Sequence, residues 1–381
     1  MYTAIDAQQD QMLMLLQTLV NIDSGSFYKP GIDQCILILK AEFDKLGMDT
    51  TVVELPDRGN HLIARKAGTG SQRLLLVGHC DTVFDTGTVA ARPFRIEDGR
   101  AYGPGVVDMK GGLTTIVFAL RALRDNAPAA WSALNVTVVV NSDEEISSGS
   151  SRPIIEAEAR QAAAICVLEP ARPGGEYVTQ RKGSGTFTLR VKGINAHAGM
   201  NPELGASAIH ELIGKLAAAQ ALNNARPGLT INVGVIHGGS RPNVVADFSE
   251  AEIDVRTQTL ADGDWVTAQM QAIAAQTGVP RTTTELSGGI SFPPMPRTEQ
   301  NLKLFELVHQ AGAELGLDLK HVSTGGASDA NYASQFAPTC DGMGPQGGRQ
   351  HSPDEYLIVA TLPERTKVLA RFITLWGADQ K

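Results

Sequence analysis

Residues 74–113, LLLVGHCDTVFDTGTVAARPFRIEDGRAYGPGVVDMKGGL, set a histidine and two aspartates at the exits of apolar segments. Leu74 to Val77 is a short apolar run bounded by Gly78, the pattern of a strand buried on both faces. His79 and Asp81 follow at the point where ligands collect in open α/β sheets. In this H-x-D arrangement one ring nitrogen of His79 is available to a metal while the Asp81 carboxylate takes the other ring N–H and fixes the tautomer. Further on, YGPGVVDMKGG delivers Asp108 from a Gly/Pro-rich loop just before a helix expected from about Gly112. A carboxylate so placed can bridge two cations. Each feature also has a plainer reading. An isolated H-x-D is mostly structural, Asp108 alone can be a helix-initiating turn residue with Lys110 solvated beside it, and Cys80 reads as a small buried side chain rather than a ligand.

The chain has 381 residues, enough for two domains of ordinary size. At 43% hydrophobic and 19% charged residues it has material for a substantial core. A net charge of −8 argues against a nucleic-acid partner. No uninterrupted apolar run approaches the ~20 residues that span a membrane. The N-terminal MYTAIDAQQDQMLMLLQTLV carries Asp6 and Asp10 where a secretory signal has Lys or Arg, and reads as one amphipathic helix. Cytoplasmic location is the expectation, and Cys35, Cys80, Cys166 and Cys340, without C-x-x-C spacing, fit a reduced compartment.

Outward from the opening stretch, helices are expected to Val20 and from about Ile32 to Leu46, then strands at Thr50–Leu55 and His61–Arg65, and a helix from Gly112 to Arg124. NVTVVVN, residues 135–141, is β-branched and almost uncharged, a central strand. It discharges Asp143, Glu144 and Glu145 side by side, which is costly unless cations or donors await them. AAICVLEP is another buried strand, exiting into Glu169. From about Arg181 the strands alternate and the order becomes βαββαβ, an α+β sandwich inserted into the first domain. After residue 290 the α/β character returns, with GMGPQGGRQHSPDEY supplying His351 and a last helix from about Pro363 to Trp376. The expected domains are 1–180 plus 291–381, and 181–290. Strand exits thus supply His79, Asp108, Glu144, Glu145, Glu169 and His351, a nitrogen and oxygen donor set that suits zinc, with cobalt or manganese as substitutes. His61, His210, His237, His309 and His321 are read as lacking acidic company and receive no role.

Taken together, GHCDTV, AYGPGVVDMKGG, NSDEEISSGS, the Glu of VLEP, NAHAG, RPNVVA, IDVR, TGGASDA and GPQGGRQHS run in order from residue 78 to residue 352. In this combination the chain resembles the M20 metallopeptidases, and within them the carboxypeptidase G2 (glutamate carboxypeptidase) group. The resemblance implies a mixed-sheet α/β zinc-exopeptidase catalytic domain, with an inserted ferredoxin-like α+β lid through which the chain forms a homodimer. It further implies two zinc ions per chain: Asp108 bridging, Glu145 and His351 completing one site, His79 and Glu169 the other. Glu144 would be the general base, Asp81 the orienter of His79, and His197 a lid residue reaching the reacting carbonyl from the partner chain. Asn243, Arg256 and Gly326 would hold the substrate.

The chemistry agrees with that division. Two cations lower the pKa of a shared water and stabilise the tetrahedral intermediate of amide hydrolysis, a free carboxylate takes and returns the proton, and an imidazole and a guanidinium fork serve the oxyanion and a terminal carboxylate. One departure stands out: TTTELSGGISFPPM has no Lys or Arg beyond Arg281 to grip a glutamate side chain, leaving Arg181 and Lys182 as substitutes. The expected reaction is release of a C-terminal amino acid, glutamate among the candidates, from a small peptide or N-acylated substrate. The alternatives are an N-acyl-amino-acid deacylase or dipeptidase on the same site and, remotely, a non-catalytic metal-binding homologue.

Overall fold

The computed structural model describes residues 1–379. The chain forms two compact units: Met1–Gln180 with Arg297–Ser323 and the stretch from Ser328 onward, and Arg181–Pro296 with Thr324–Ala327.

In the first unit a six-stranded mixed sheet runs in the order Asp49–Val53, His61–Lys66, Asn135–Asn141, Arg73–His79, Ala164–Val167, Thr339–Cys340. The first two contacts are antiparallel and the remaining three parallel. The two central strands are buried beyond their first residues and apolar over most of their length, as strands covered on both faces require. Their register sets the site. His79 pairs with Asn141, and Leu168 N–H bonds to Val77 O, so three strands end at one level and release their polar residues together. Helix Gly111–Asn126 is buried over nearly its whole length, with Ile116, Val117, Leu120 and Leu123 in the core that also holds Leu74, Leu76, Val136, Val138 and Phe372. Its first turn passes so close to the sheet exit that a Cβ on Gly112 would stand 2.0 Å from Leu168 O.

Three expectations need correction here. The N-terminal segment is two helices, Tyr2–Asp6 and Gln9–Val20, interrupted at Ala7 and Gln8. A small sheet of Arg95–Glu97, Arg100–Tyr102, Tyr356–Ile358 and Gly347–Gly348 was not foreseen. Helix Thr361–Asp379 is longer than expected. No described helix is long and apolar enough to cross a membrane.

The second unit is a four-stranded antiparallel sheet in the order Thr230–Gly238, Phe248–Thr257, Gly183–Lys192, Thr283–Phe292, with helices Ala208–Ala221 and Leu260–Ala275. That strand order with two crossing helices is the ferredoxin-like arrangement. Alternation does the work: Phe187, Leu189 and Val191 of one strand and Ala251, Ile253 and Val255 of its neighbour face the helices. A buried pair, Lys215 and Glu211 at 3.0 Å, ties the helices together. Lys215 Nζ donates to the terminal carbonyls of Ile273, Ala274 and Gln276, and Glu211 accepts from Gly278 and Val279 N–H. Residues Ser287–Phe292 complete the last strand. A Cβ at Gly288 would stand 2.1 Å from Thr186 O, so the missing side chain is what lets the strands approach.

Candidate metal centre

The strand exits bring together His79, Asp108, Glu144, Glu145, Glu169 and His351. His79 is 1% exposed, and its Nε2 faces Asp108 Oδ1 at 3.4 Å, Glu169 Oε1 at 3.6 Å and Glu144 Oε2 at 4.0 Å. The same Nε2 is buried without a hydrogen-bond partner. His351, 54% exposed, places Nε2 3.1 Å from Glu145 Oε2 and 3.4 Å from Asp108 Oδ2. The two oxygens of Asp108 therefore face two different histidines. Donor atoms of His79, Glu144 and Glu169 lie within 4.8 Å of one another, as do those of His79, Asp108 and Glu145. An orphaned imidazole nitrogen inside a ring of carboxylate oxygens fits a divalent cation.

The electrostatics follow from burial. Burial pushes the Glu144 carboxyl well above the ordinary range, with Glu169, Asp329 and Glu145 adding to it against the opposing His79. Burial likewise raises Glu145 and Glu169. Asp108 goes the other way: despite its burial, His351 and His79 hold it well below the usual carboxylate range. Hydrogen bonding to Asp108 and Glu145 pushes His351 up to about 10. Burial would lower His79, yet Asp108, Asp81 and Glu169 together hold it well above 6.5.

Behind these groups stands a second ring, only part of which the sequence suggested. Asp81 faces His79 Nδ1 at 3.3 Å, and the same Nδ1 lies 3.1 Å from the Asp81 main-chain oxygen. The Asp81 carboxylate also accepts the main-chain N–H groups of Glu144 and Glu145, both at 3.2 Å, and the Ser26 hydroxyl at 2.7 Å. It thus fixes the turn Glu144–Ile146 as well as the imidazole. Asp143 turns away: its Oδ2 accepts Ser150 N–H and Oγ, both at 2.6 Å, while its Oδ1 is buried without a hydrogen-bond partner. Asp329, buried and pushed up to about 7 by that burial, accepts from Asn141 Nδ2 and Ser148 Oγ. Glu355 accepts three main-chain N–H groups of the Asp108 loop. Burial and the Asp108 charge push its carboxyl up to about 7, against those three donors.

Three histidines given no role from sequence have partners, and Thr179 Oγ1 lies 2.9 Å from His321 Nδ1. His61 opens a buried strand and sits between Ser142 Oγ at 3.1 Å and Ser150 Oγ at 3.0 Å, the latter bonded to Asp143. His309 Nε2 lies 3.8 Å from Asp318. The four cysteines are free and buried.

His197, Asn243, Arg256 and Gly326 belong to the second unit. His197 sits in an exposed turn where its Nδ1 accepts Gly199 and Met200 N–H, both at 3.1 Å. The Asn243 carbonyl accepts Ala198 N–H at 3.0 Å, so the His197 and Asn243 turns are neighbours. Arg256 makes a bidentate pair with Asp254, 2.9 Å on each arm. Gly326 O accepts from Arg181 Nη1 at 2.9 Å.

Comparison with known proteins accords with this geometry. Carboxypeptidase G2 of Pseudomonas sp. (strain RS-16) is 29% identical over 389 residues, covering 100% of this chain and 92% of that protein. Succinyl-diaminopimelate desuccinylase of Delftia acidovorans is 28% identical, covering 92% and 94%. The crystal structure of aminopeptidase PepT from Bacillus cereus superposes with a TM-score of 0.81 at 21% identity, covering 96% of this chain and 98% of that one. Residues 75–375 match peptidase family M20/M25/M40, whose members are metal-dependent. The chain belongs to that family and is a hydrolase.

Proposed function

We propose that this hydrolase uses two zinc ions to cleave the amide bond linking a C-terminal amino acid to an N-acyl group. The observation that carries the reading is the division of the carboxylates. Asp108 presents one oxygen to each histidine, Glu169 accompanies His79, Glu145 accompanies His351, and Glu144, at 4.0 Å from His79, is the least engaged. Asp108 would be shared between the metals, with His79 and Glu169 holding one and Glu145 and His351 the other. When bound, the pair supplies Lewis acidity, activating water and polarising the scissile carbonyl. Glu144, the carboxylate least engaged with the histidines, takes the proton of the attacking water and hands it to the leaving nitrogen. Asp81 keeps His79 in the tautomer that offers Nε2.

His197 is assigned to the oxyanion, Asn243 and Gly326 to substrate binding, and Arg256 to the free carboxylate, which would take the place of Asp254 on the guanidinium fork. A homodimer through the inserted unit accords with the strand Thr230–Gly238, an edge of its sheet that exposes Ile236 (59%) and Val235. The free, buried thiols suit the cytoplasm.

A second reading, N-acyl-amino-acid deacylase or dipeptidase, is favoured by one observation: the basic residues available to grip a glutamate side chain are committed to main-chain carbonyls. Arg281 donates to Glu203, Leu204 and Gly205, Arg181 to Gly326, and Lys182 to Gly228. A panel of N-acyl and dipeptide substrates ending in glutamate, in neutral residues or in the matching C-terminal amides separates the readings by released amine. Preference for acylated glutamate supports the carboxypeptidase, preference for other amino acids the alternative. Equal cleavage of acids and amides would remove Arg256 as the specificity group.

A further inference from the structure

We propose that Glu355 is a positioning residue that locks the loop carrying Asp108 to the loop carrying His351, and so sets the spacing of the metal ligands. The inference rests on the ligand assignment above and goes one shell beyond it.

Glu355 is 1% exposed, a burial that a carboxylate tolerates only with donors around it. Its Oε2 accepts Gly105 N–H at 3.0 Å, and its Oε1 accepts Val107 and Asp108 N–H at 3.0 and 3.1 Å. Main-chain N–H groups of one short loop thus converge on a single side chain, the arrangement in which a backbone concavity holds an anion. The loop needs such an anchor. Gly103 and Gly105 sit at φ +147° and +72°, and the segment that contains Asp108 is spanned by the main-chain bonds Lys110 N–H to Gly105 O at 3.0 Å and Gly111 N–H to Val106 O.

The other end of the strut is equally defined. Glu355 lies four residues after His351 in a turn closed by Ser352 N–H to Arg349 O and Glu355 N–H to Ser352 O, both at 3.2 Å. Immediately afterwards Tyr356 and Leu357 pair with Tyr102 and Ala101, the strand that leads into the Asp108 loop. Strand pairing therefore aligns the two segments, and the carboxylate fixes the last few residues on which the 3.4 Å separation of His351 Nε2 and Asp108 Oδ2 depends. Groups that orient metal ligands typically cost about 10-fold to 100-fold in affinity or activity when replaced.

Glu355→Gln keeps the size but turns one acceptor into a donor, so at least one loop N–H faces another donor. Glu355→Asp keeps the charge and shortens the reach. The measurement is a chelator-competition zinc titration of the folded, metal-free protein, with hydrogen exchange followed at residues 103–110. Expected are zinc affinity about 10-fold to 100-fold weaker in Glu355→Gln, faster exchange at the Gly105, Val107 and Asp108 amides, and intermediate values for Glu355→Asp. A Glu355→Gln protein that is merely less stable to heat, with wild-type zinc affinity and unchanged exchange at those amides, overturns the proposal. Should that variant not fold, Glu355→Asp decides on the same two readouts. A wild-type chain that takes up no zinc would sink the functional reading instead, while the exchange rates would still judge the clamp.

Discussion

The two units hold their candidate site residues in opposite ways. In the first, every candidate ligand leaves the end of a buried strand or a loop that is tied from behind: Asp81 to the Glu144 and Glu145 amides, Asp329 to Asn141 and Ser148, Glu355 to the Asp108 loop. In the second, His197 stands on an exposed turn and is held by two main-chain N–H groups, and Arg256 is held by a half-exposed neighbour, Asp254. A cluster of like charges is confined only by a rigid frame, whereas groups that meet a substrate can keep freedom until it arrives. Damage inside the frame should therefore be severe, and damage in the inserted unit should depend on its partner.

The largest effect is expected inside the frame. Glu144→Gln should lose roughly 100-fold to 10,000-fold in kcat, the range for a general base. Near-normal turnover would mean that another group takes the proton. In the inserted unit the sharper test is complementation. His197→Ala and Glu144→Ala homodimers should each be nearly inactive, yet mixing them with subunit exchange should recover up to about a quarter of wild-type activity if His197 serves the partner's site. No recovery despite demonstrated exchange would place His197 in its own chain's site, and an active monomer would remove the proposal.

The same contrast explains what could be read in the sequence. Asn135–Asn141 was legible to the residue because a fully buried strand tolerates little besides apolar, β-branched side chains. His79, Glu144, Glu145 and Glu169 were legible because charge directly after such a strand has few innocent explanations. Glu355 was not: HSPDEY reads as a solvated turn, and its partners lie some 250 residues earlier, with |i−j| of 250, 248 and 247. The Arg95–Tyr102 hairpin offered a signal that went unused, the Asp98–Gly99 pair at φ +48° and +73°, a turn dipeptide of the type that joins adjacent strands. His61 was missed for another reason. Its serine partners at 142 and 150 carry no charge pattern, and they reach the ring through the sheet register and through the Asp143 carboxylate that holds Ser150.

The frame itself is tested most directly by counting metal. Metal-free wild type and Glu144→Gln, titrated with zinc and analysed for bound metal per chain, should both reach two equivalents, with hydrolysis appearing only in the wild type and vanishing again on chelation. A fully active wild type holding one metal or none, or a Glu144→Gln protein that fails to bind the second, would contradict the division of ligands and base on which the reading stands.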